Sequence, residues 1–233
     1  MDKQVTVSGL LNETVAAVSA SRGALMLYVL ILGGISAAGV LLGLADTVTT
    51  SVGVGQMTLG NGAGTALFGF GSAVGSVIGG FLLAKAVIAT QRTVEPGMTG
   101  FGSYFVMSIL YGFGVMVGLI LLVIPGIILI IRWVPSLGFL IGSDKGASVS
   151  LSASWAATKG HGIAIFLASA VVLIAATLFA GVPIGILTVL DESVAGIASG
   201  FFEAAAGAVF IVFCAATYFR VDESGDVYAA TFE

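Results

Sequence analysis

Two opposite charges stand inside apolar runs: Arg132 follows VIPGIILII, and Glu203 interrupts GFFEAAAG. On insertion scales an Arg at the centre of a membrane helix costs ~2.5–3.5 kcal/mol, so such a charge marks either a partner or a pathway. Arg132 lies seven residues past Pro125, and Glu203 is about as far past the expected start of its own helix. At 1.5 Å of rise per residue, both are expected ~10 Å below the same membrane boundary. Matching depth predicts a buried Arg132–Glu203 pair. A structural clamp, a step on an ion or proton path, and two independent snorkelling side chains remain open. The remaining chemistry is sparse. His161 is the single histidine and has no Cys, Asp or second His near it in sequence, so no metal site is expected. No His–acid pair serves the many serines, and no span holds paired carboxylates. GFGSAVG lacks the spacing and the preceding strand of a dinucleotide fingerprint, so no cofactor is expected. The reading is of a protein that is not an enzyme.

Composition sets the elements that hold these residues. The chain of 233 residues is 58% hydrophobic and 9% charged, with a mean hydropathy of +1.15. A soluble domain carries about 25% charged residues, so the charge here is too sparse to cover a soluble surface. Several apolar runs reach the ~20 residues that cross a ~30 Å hydrocarbon core. The expectation is an all-α polytopic membrane protein. Its six spans fall at about 24–44, 66–90, 101–124, 125–142, 161–187 and 196–219, between an N-terminal amphipathic segment, 1–23, and a tail, 220–233. A net charge of −4 without a basic patch gives no nucleic-acid footprint. Cys214 is the one cysteine, which excludes an internal disulfide. The N-terminus lacks the basic and apolar regions of a signal peptide.

The third and fourth spans are nearly continuous, about 42 residues or ~60 Å of helix, twice a bilayer. Pro125 and Gly126 divide them. Proline has no N–H to donate and opens a helix well, and glycine relaxes the chain, so these two residues are expected to make the turn of a helix hairpin.

Orientation follows from the basic residues. Lys3, Arg22, Lys85, Arg92, Lys145, Lys159 and Arg220, seven of the eight, fall on one side of a six-span arrangement, and Arg132 is the exception. The opposite segments, 45–65, around 125 and 188–195, contain no Lys or Arg. Both termini are therefore expected on the cytoplasmic side. The long outer segment 45–65 is rich in Gly, Ser and Thr and reads as a loop with a short hairpin over TVTTSVGVGQMTL.

Two helices are expected in the interface. In 8–20, Ser8 is the expected cap, and Leu11, Val15 and Val18 share a face. In 144–159, Ala147, Leu151 and Trp155 form a line, Lys159 sits in the last turn and Gly160 follows. Trp155 is the amphipathic ring, and Lys159 the charge, expected at headgroup level. Such helices either brace the bundle or sense lipid composition. Lys85, near the end of its span, is expected to snorkel. Glycines recur every four residues at Gly39 and Gly43, at Gly71, Gly75 and Gly79, at Gly114 and Gly118, and at Gly196 and Gly200. This spacing lets helix backbones approach closely, within the chain or between subunits.

The stretch from LLVIPGIILIIRW to SWAATKGHGIAIF resembles a bacterial pattern. In it an apolar span ends I-P-G-I and runs on to an Arg and an aromatic or aliphatic residue. A short acidic/Gly turn follows, then an amphipathic helix ending S-W-x-x-T-K-G and another span. The chain is similar here to the membrane domain associated with glycerophosphoryl diester phosphodiesterases and to the YciC-like inner-membrane proteins. The matching positions are Pro125, Gly126, Arg132, Ser154, Trp155, Thr158, Lys159 and Gly160. The resemblance implies a six-helix bacterial inner-membrane module of poorly defined function. It covers about fifty residues and does not carry the phosphodiesterase activity, whose soluble domain has no counterpart here.

Three function classes remain. The first is a noncatalytic scaffold or accessory subunit that packs by itself, as a homo-oligomer, or within a larger complex, with membrane lipids around it. The second is a small transporter or channel, and the third a lipid-interacting module. Sparse charge and the lack of broken helices at matching positions in two halves weigh against a transporter, and the first class is the expectation.

Overall fold

The computed structural model describes residues 5–44 and 62–231, with side chains described through Asp222. Among these residues the fold is all-α, as the apolar runs require. The hairpin expected within 45–65 falls mostly on residues outside this set. Nine helices are described: α1 (Val7–Ala20), α2 (Arg22–Leu41), α3 (Ala63–Ile88), α4 (Phe101–Leu121), α5 (Val123–Trp133), α6 (Ser136–Gly142), α7 (Ala147–Ala157), α8 (Gly162–Leu190) and α9 (Glu192–Thr231). Six stretches are long and apolar enough to cross a membrane: α2, α3, α4, Val123–Gly142, α8, and Glu192–Asp222 of α9. They leave large apolar side chains uncovered, such as Val189 at 87% and Ile120 at 76% exposed. That surface suits lipid and not water.

The turn between α4 and α5 lies three residues earlier than expected. Leu122 alone is extended, at φ −160° and ψ 133°. Pro125 and Gly126 fall inside the first turn of α5. The first N–H groups of a helix have no partner in the preceding turn, so a proline there costs little and the chain reverses at Leu122, three residues ahead of Pro125. Gly126 has a different task. A Cβ on Gly118 of α4 would stand 2.9 Å from Gly126 Cα, so the two glycines let the hairpin backbones touch.

The fourth span is also not one helix. It breaks at Val134 and Pro135 into α5 and α6, because Pro135 has no N–H to give the preceding turn. The last helix, by contrast, runs on past the expected boundary at 219 to Thr231.

The chain forms two compact units. One comprises Met1–Ser21, Ala84–Val172 and Val212–Glu233, and the other Arg22–Leu83 and Leu173–Ile211. In the first, α1 is capped by Thr6, not Ser8: Thr6 Oγ1 accepts from Gly9 N at 3.2 Å. The face of α1 that packs on protein is Leu10, Thr14 and Ala17, one step around from the expected Leu11, Val15 and Val18. The line Leu11, Val15 and Val18, expected as the apolar face of an interfacial helix, is left more open, with Val15 68% exposed. The core of this unit includes Phe213, Ala215, Ala216 and Tyr218 of α9, with Ile165 and Ala168 of α8. Gly138 of α6 lies so close to Tyr218 that a Cβ would overlap the ring and its Cβ.

In the second unit α2 packs against α9 and α3. A Cβ on Gly33 would run into Phe201, one on Gly200 into Ser36, and one on Gly79 would meet Tyr28 at 3.3 Å. Phe179 and Phe202 meet edge to face with centroids 5.6 Å apart.

Candidate functional site

The polar residues of the first unit gather where α5 breaks. α7 packs back against α4, α5 and α6, so it is more than a helix resting on a surface. Its packed line is Ser150, Ser154 and Thr158, each at 0% exposure. The hydroxyls face carbonyls that a broken helix leaves over. Ser154 Oγ donates to the Arg132 carbonyl at 2.6 Å, with Thr158 Oγ1 at 3.5 Å from the same oxygen. Ser136 Oγ donates to the Trp133 carbonyl at 2.6 Å, and Ser150 Oγ reaches the carbonyls of Lys145 and Gly146 at 3.1 and 2.9 Å. In an apolar medium an unmet carbonyl costs several kcal/mol, and these four hydroxyls account for the oxygens at the break and at the start of α7.

The Arg132 side chain belongs to the same cluster. Its Nη1 donates to Thr158 Oγ1 at 3.4 Å, and its guanidinium lies 5.4 Å from the centre of the Trp155 ring. A contact of that kind is worth about 0.5–1 kcal/mol at an exposed site. Trp133, the next residue, packs on Gly114 and on Tyr111, ring centroids 5.9 Å apart. Trp155 is 44% exposed beside the arginine, and Lys159 lies just past the end of α7, exposed.

The two residues of the expected Arg132–Glu203 pair fall in different units, Arg132 in the first and Glu203 in the second. Arg132 is engaged by α7, and Glu203, in the second unit, keeps a buried Oε2 with no hydrogen-bond partner. The contact between α7 and Arg132 is one that the sequence reading does not anticipate. The signal that was missed is legible: Ser150, Ser154 and Thr158 stand four residues apart, a hydroxyl stripe beside the Ala147–Leu151–Trp155 line.

A second set of polar contacts ties helix ends together in the same unit. Glu13 of α1 accepts from Gln91 Nε2 at 2.9 Å and pairs with Arg220 Nε at 3.6 Å. Arg92 pairs with Asp222 at 2.8 Å, and Ser143 and Tyr218 share a hydrogen bond of 3.0 Å. Lys85 is 8% exposed and, instead of snorkelling freely, donates to the carbonyls of Gly97 and Thr99 at 3.0 and 3.2 Å. Six of the seven cations predicted to share one side are described, and Lys85, Arg92 and Arg220 among them clasp segments of this unit. His161 serves as a backbone link, its N–H donating to the Thr158 carbonyl at 3.1 Å. Among the described residues no group of three His, Cys, Asp or Glu side chains is placed to hold a metal ion. What the geometry does chemically is hold a bent helix, α5–α6, in a fixed shape.

No protein-family model matches the chain, and neither the curated proteins nor the solved structures yield a match.

Proposed function

We propose that the chain is a noncatalytic integral membrane protein, a scaffold or accessory subunit that packs against a second copy or a larger complex within the bacterial inner membrane. Both termini lie on the cytoplasmic side in this reading, and membrane lipids surround the spans. The observation that carries it is an open pair of small-residue faces. A Cβ on Gly71 or Gly75 of α3, or on Gly181 or Gly185 of α8, would meet nothing within 4 Å. Glycines four residues apart with no neighbour of their own offer the close backbone approach through which membrane helices associate. The resemblance around Pro125 to Gly160 to six-helix inner-membrane modules supports the same reading.

Gentle extraction followed by native mass spectrometry tests it. The unaltered chain is expected as an oligomer or with a copurifying protein, and Gly71→Ile with Gly75→Ile is expected to release the single chain. A single chain from the outset, unchanged by the substitutions, contradicts the proposal. Orientation is tested separately by labelling single cysteines from outside in a Cys214→Ala background. Sites at 50–62 are expected to react and a site at 92 to be protected; the reverse pattern inverts the topology.

A further inference from the structure

No ion pair to Glu203 is found among the described residues. Within the second unit's segments, 22–83 and 173–211, the charged residues are Arg22, Asp46, Asp191, Glu192 and Glu203. Arg22 opens α2, about ten residues and ~15 Å of helix from the level of Glu203. The Glu203 Oε2 atom is nonetheless buried and without a hydrogen-bond partner. A bare carboxylate withdrawn from water is strongly disfavoured, so it must either hold a proton or be matched by a positive charge from outside the chain.

A second orphan oxygen lies in the same unit. Ser72 Oγ, on α3, is also buried and without a partner. This is unusual for a serine in these helices. Ser76, Ser169 and Ser108 turn their hydroxyls back onto their own helix, at 2.9, 2.7 and 2.9 Å from the carbonyl four residues earlier.

Helix register brings the two residues to neighbouring levels along α2. On α9, Gly200 meets Ser36 and Gly207 comes within 4.0 Å of Tyr28 Oη, so the face of α9 turned to α2 includes Glu203, three residues after one and four before the other. On α3, Gly79 meets Tyr28 and Leu32, and Gly64 meets Leu44. Ser72, seven residues before Gly79, shares its face. Interpolated along antiparallel helices, Glu203 falls beside Leu32 and Gly33 of α2, and Ser72 beside Ser36, within about one helical turn, ~5.4 Å. The Ser36 hydroxyl points the same way, 2.5 Å from where a Gly200 Cβ would be.

We propose that Glu203, Ser72 and Ser36 form a binding site for a small monovalent cation, of which sodium is the best fit. All the groups are hard oxygen donors, the class that takes cations of this kind rather than soft metals. A single carboxylate balances one positive charge and not two. The hydroxyls supply ligands without adding charge, which keeps the occupied site neutral in an apolar bundle. The inference does not depend on the packing proposed for the glycine faces.

The test is thermal unfolding of the purified full chain in detergent, in sodium, potassium or choline chloride at equal ionic strength. Sodium is expected to raise the melting temperature saturably by several degrees over choline, because a ligand that binds only the folded state stabilises it. Potassium acting equally well also supports a monovalent site. Glu203→Gln is expected to remain folded and lose the response. Ser72→Ala is expected to move its midpoint to higher sodium, which covers the case in which the glutamate variant fails to fold. Equal melting temperatures in sodium and choline overturn the proposal and leave Glu203 protonated, as does a full sodium response in Glu203→Gln.

Discussion

The α5–α7 corner and the α2–α3–α9 contact handle buried polar groups in opposite ways. At the corner, a proline break exposes carbonyls and a neighbouring helix arrives with Ser154 and Thr158 to meet them. In the other region, Glu203 Oε2 and Ser72 Oγ are buried with no hydrogen-bond partner among the described residues. A closed network rigidifies a fold, whereas an open one is costly unless something else completes it. Polar residues within a membrane bundle therefore divide by whether the chain itself supplies the partner, and the division is not visible from residue type alone.

Substitutions that attack the closed region should cost most. Gly138→Val is expected to have the largest effect, since even a Cβ there overlaps Tyr218 beside its backbone. Overpacking of this kind starts at about 1–3 kcal/mol, and a branched side chain is expected to exceed that. A variant that melts with the parent would show that α6 and α9 are not packed as described. Ser154→Ala comes next. It strips the 2.6 Å donor from the Arg132 carbonyl, and a buried acceptor left unmet costs about 1–3 kcal/mol. A loss below ~0.5 kcal/mol, measured by reversible unfolding in detergent, would mean that water or Thr158 closes the break equally well. Smallest of all is Gly75→Ala in the released single chain. With no atom within 4 Å of the added methyl, the expected change is within about ±0.5 kcal/mol.

The sequence makes much of this fold readable. Six spans, the hairpin between α4 and α5, and a helix on either side of the break all follow from hydropathy, length and proline, because lipid admits few alternatives to a helix. Boundaries and faces are less legible. Pro125 and Gly126 look like a turn, but a helix tolerates proline throughout its first turn, so Leu122 reverses the chain instead. Leu11, Val15 and Val18 read as the apolar face of an interfacial helix, but apolar residues suit lipid as well as core, so they do not reveal the face that α1 packs on protein. Hydrophobicity cannot say which way the helix turns, and the small residues Thr14 and Ala17 mark the contact. For the same reason the hydroxyl stripe of α7 went unread while its apolar line was followed. Arg132 and Glu203 were recognised as unusual from their surroundings in the sequence. The neighbours of Arg132 were not, since depth alone does not say which helix lies beside it.

The central claim is that Ser154 completes the protein's own structure while Glu203 waits for a ligand, and one measurement separates the two roles. Unfolding of Ser154→Ala and Glu203→Gln is compared with the parent chain in sodium-free choline buffer. Ser154→Ala is expected to melt well below the parent, and Glu203→Gln at or above it, because an amide removes a charge that the protein does not balance. If Glu203→Gln falls as far as Ser154→Ala, the carboxylate has a structural partner and the contrast between the two regions does not hold.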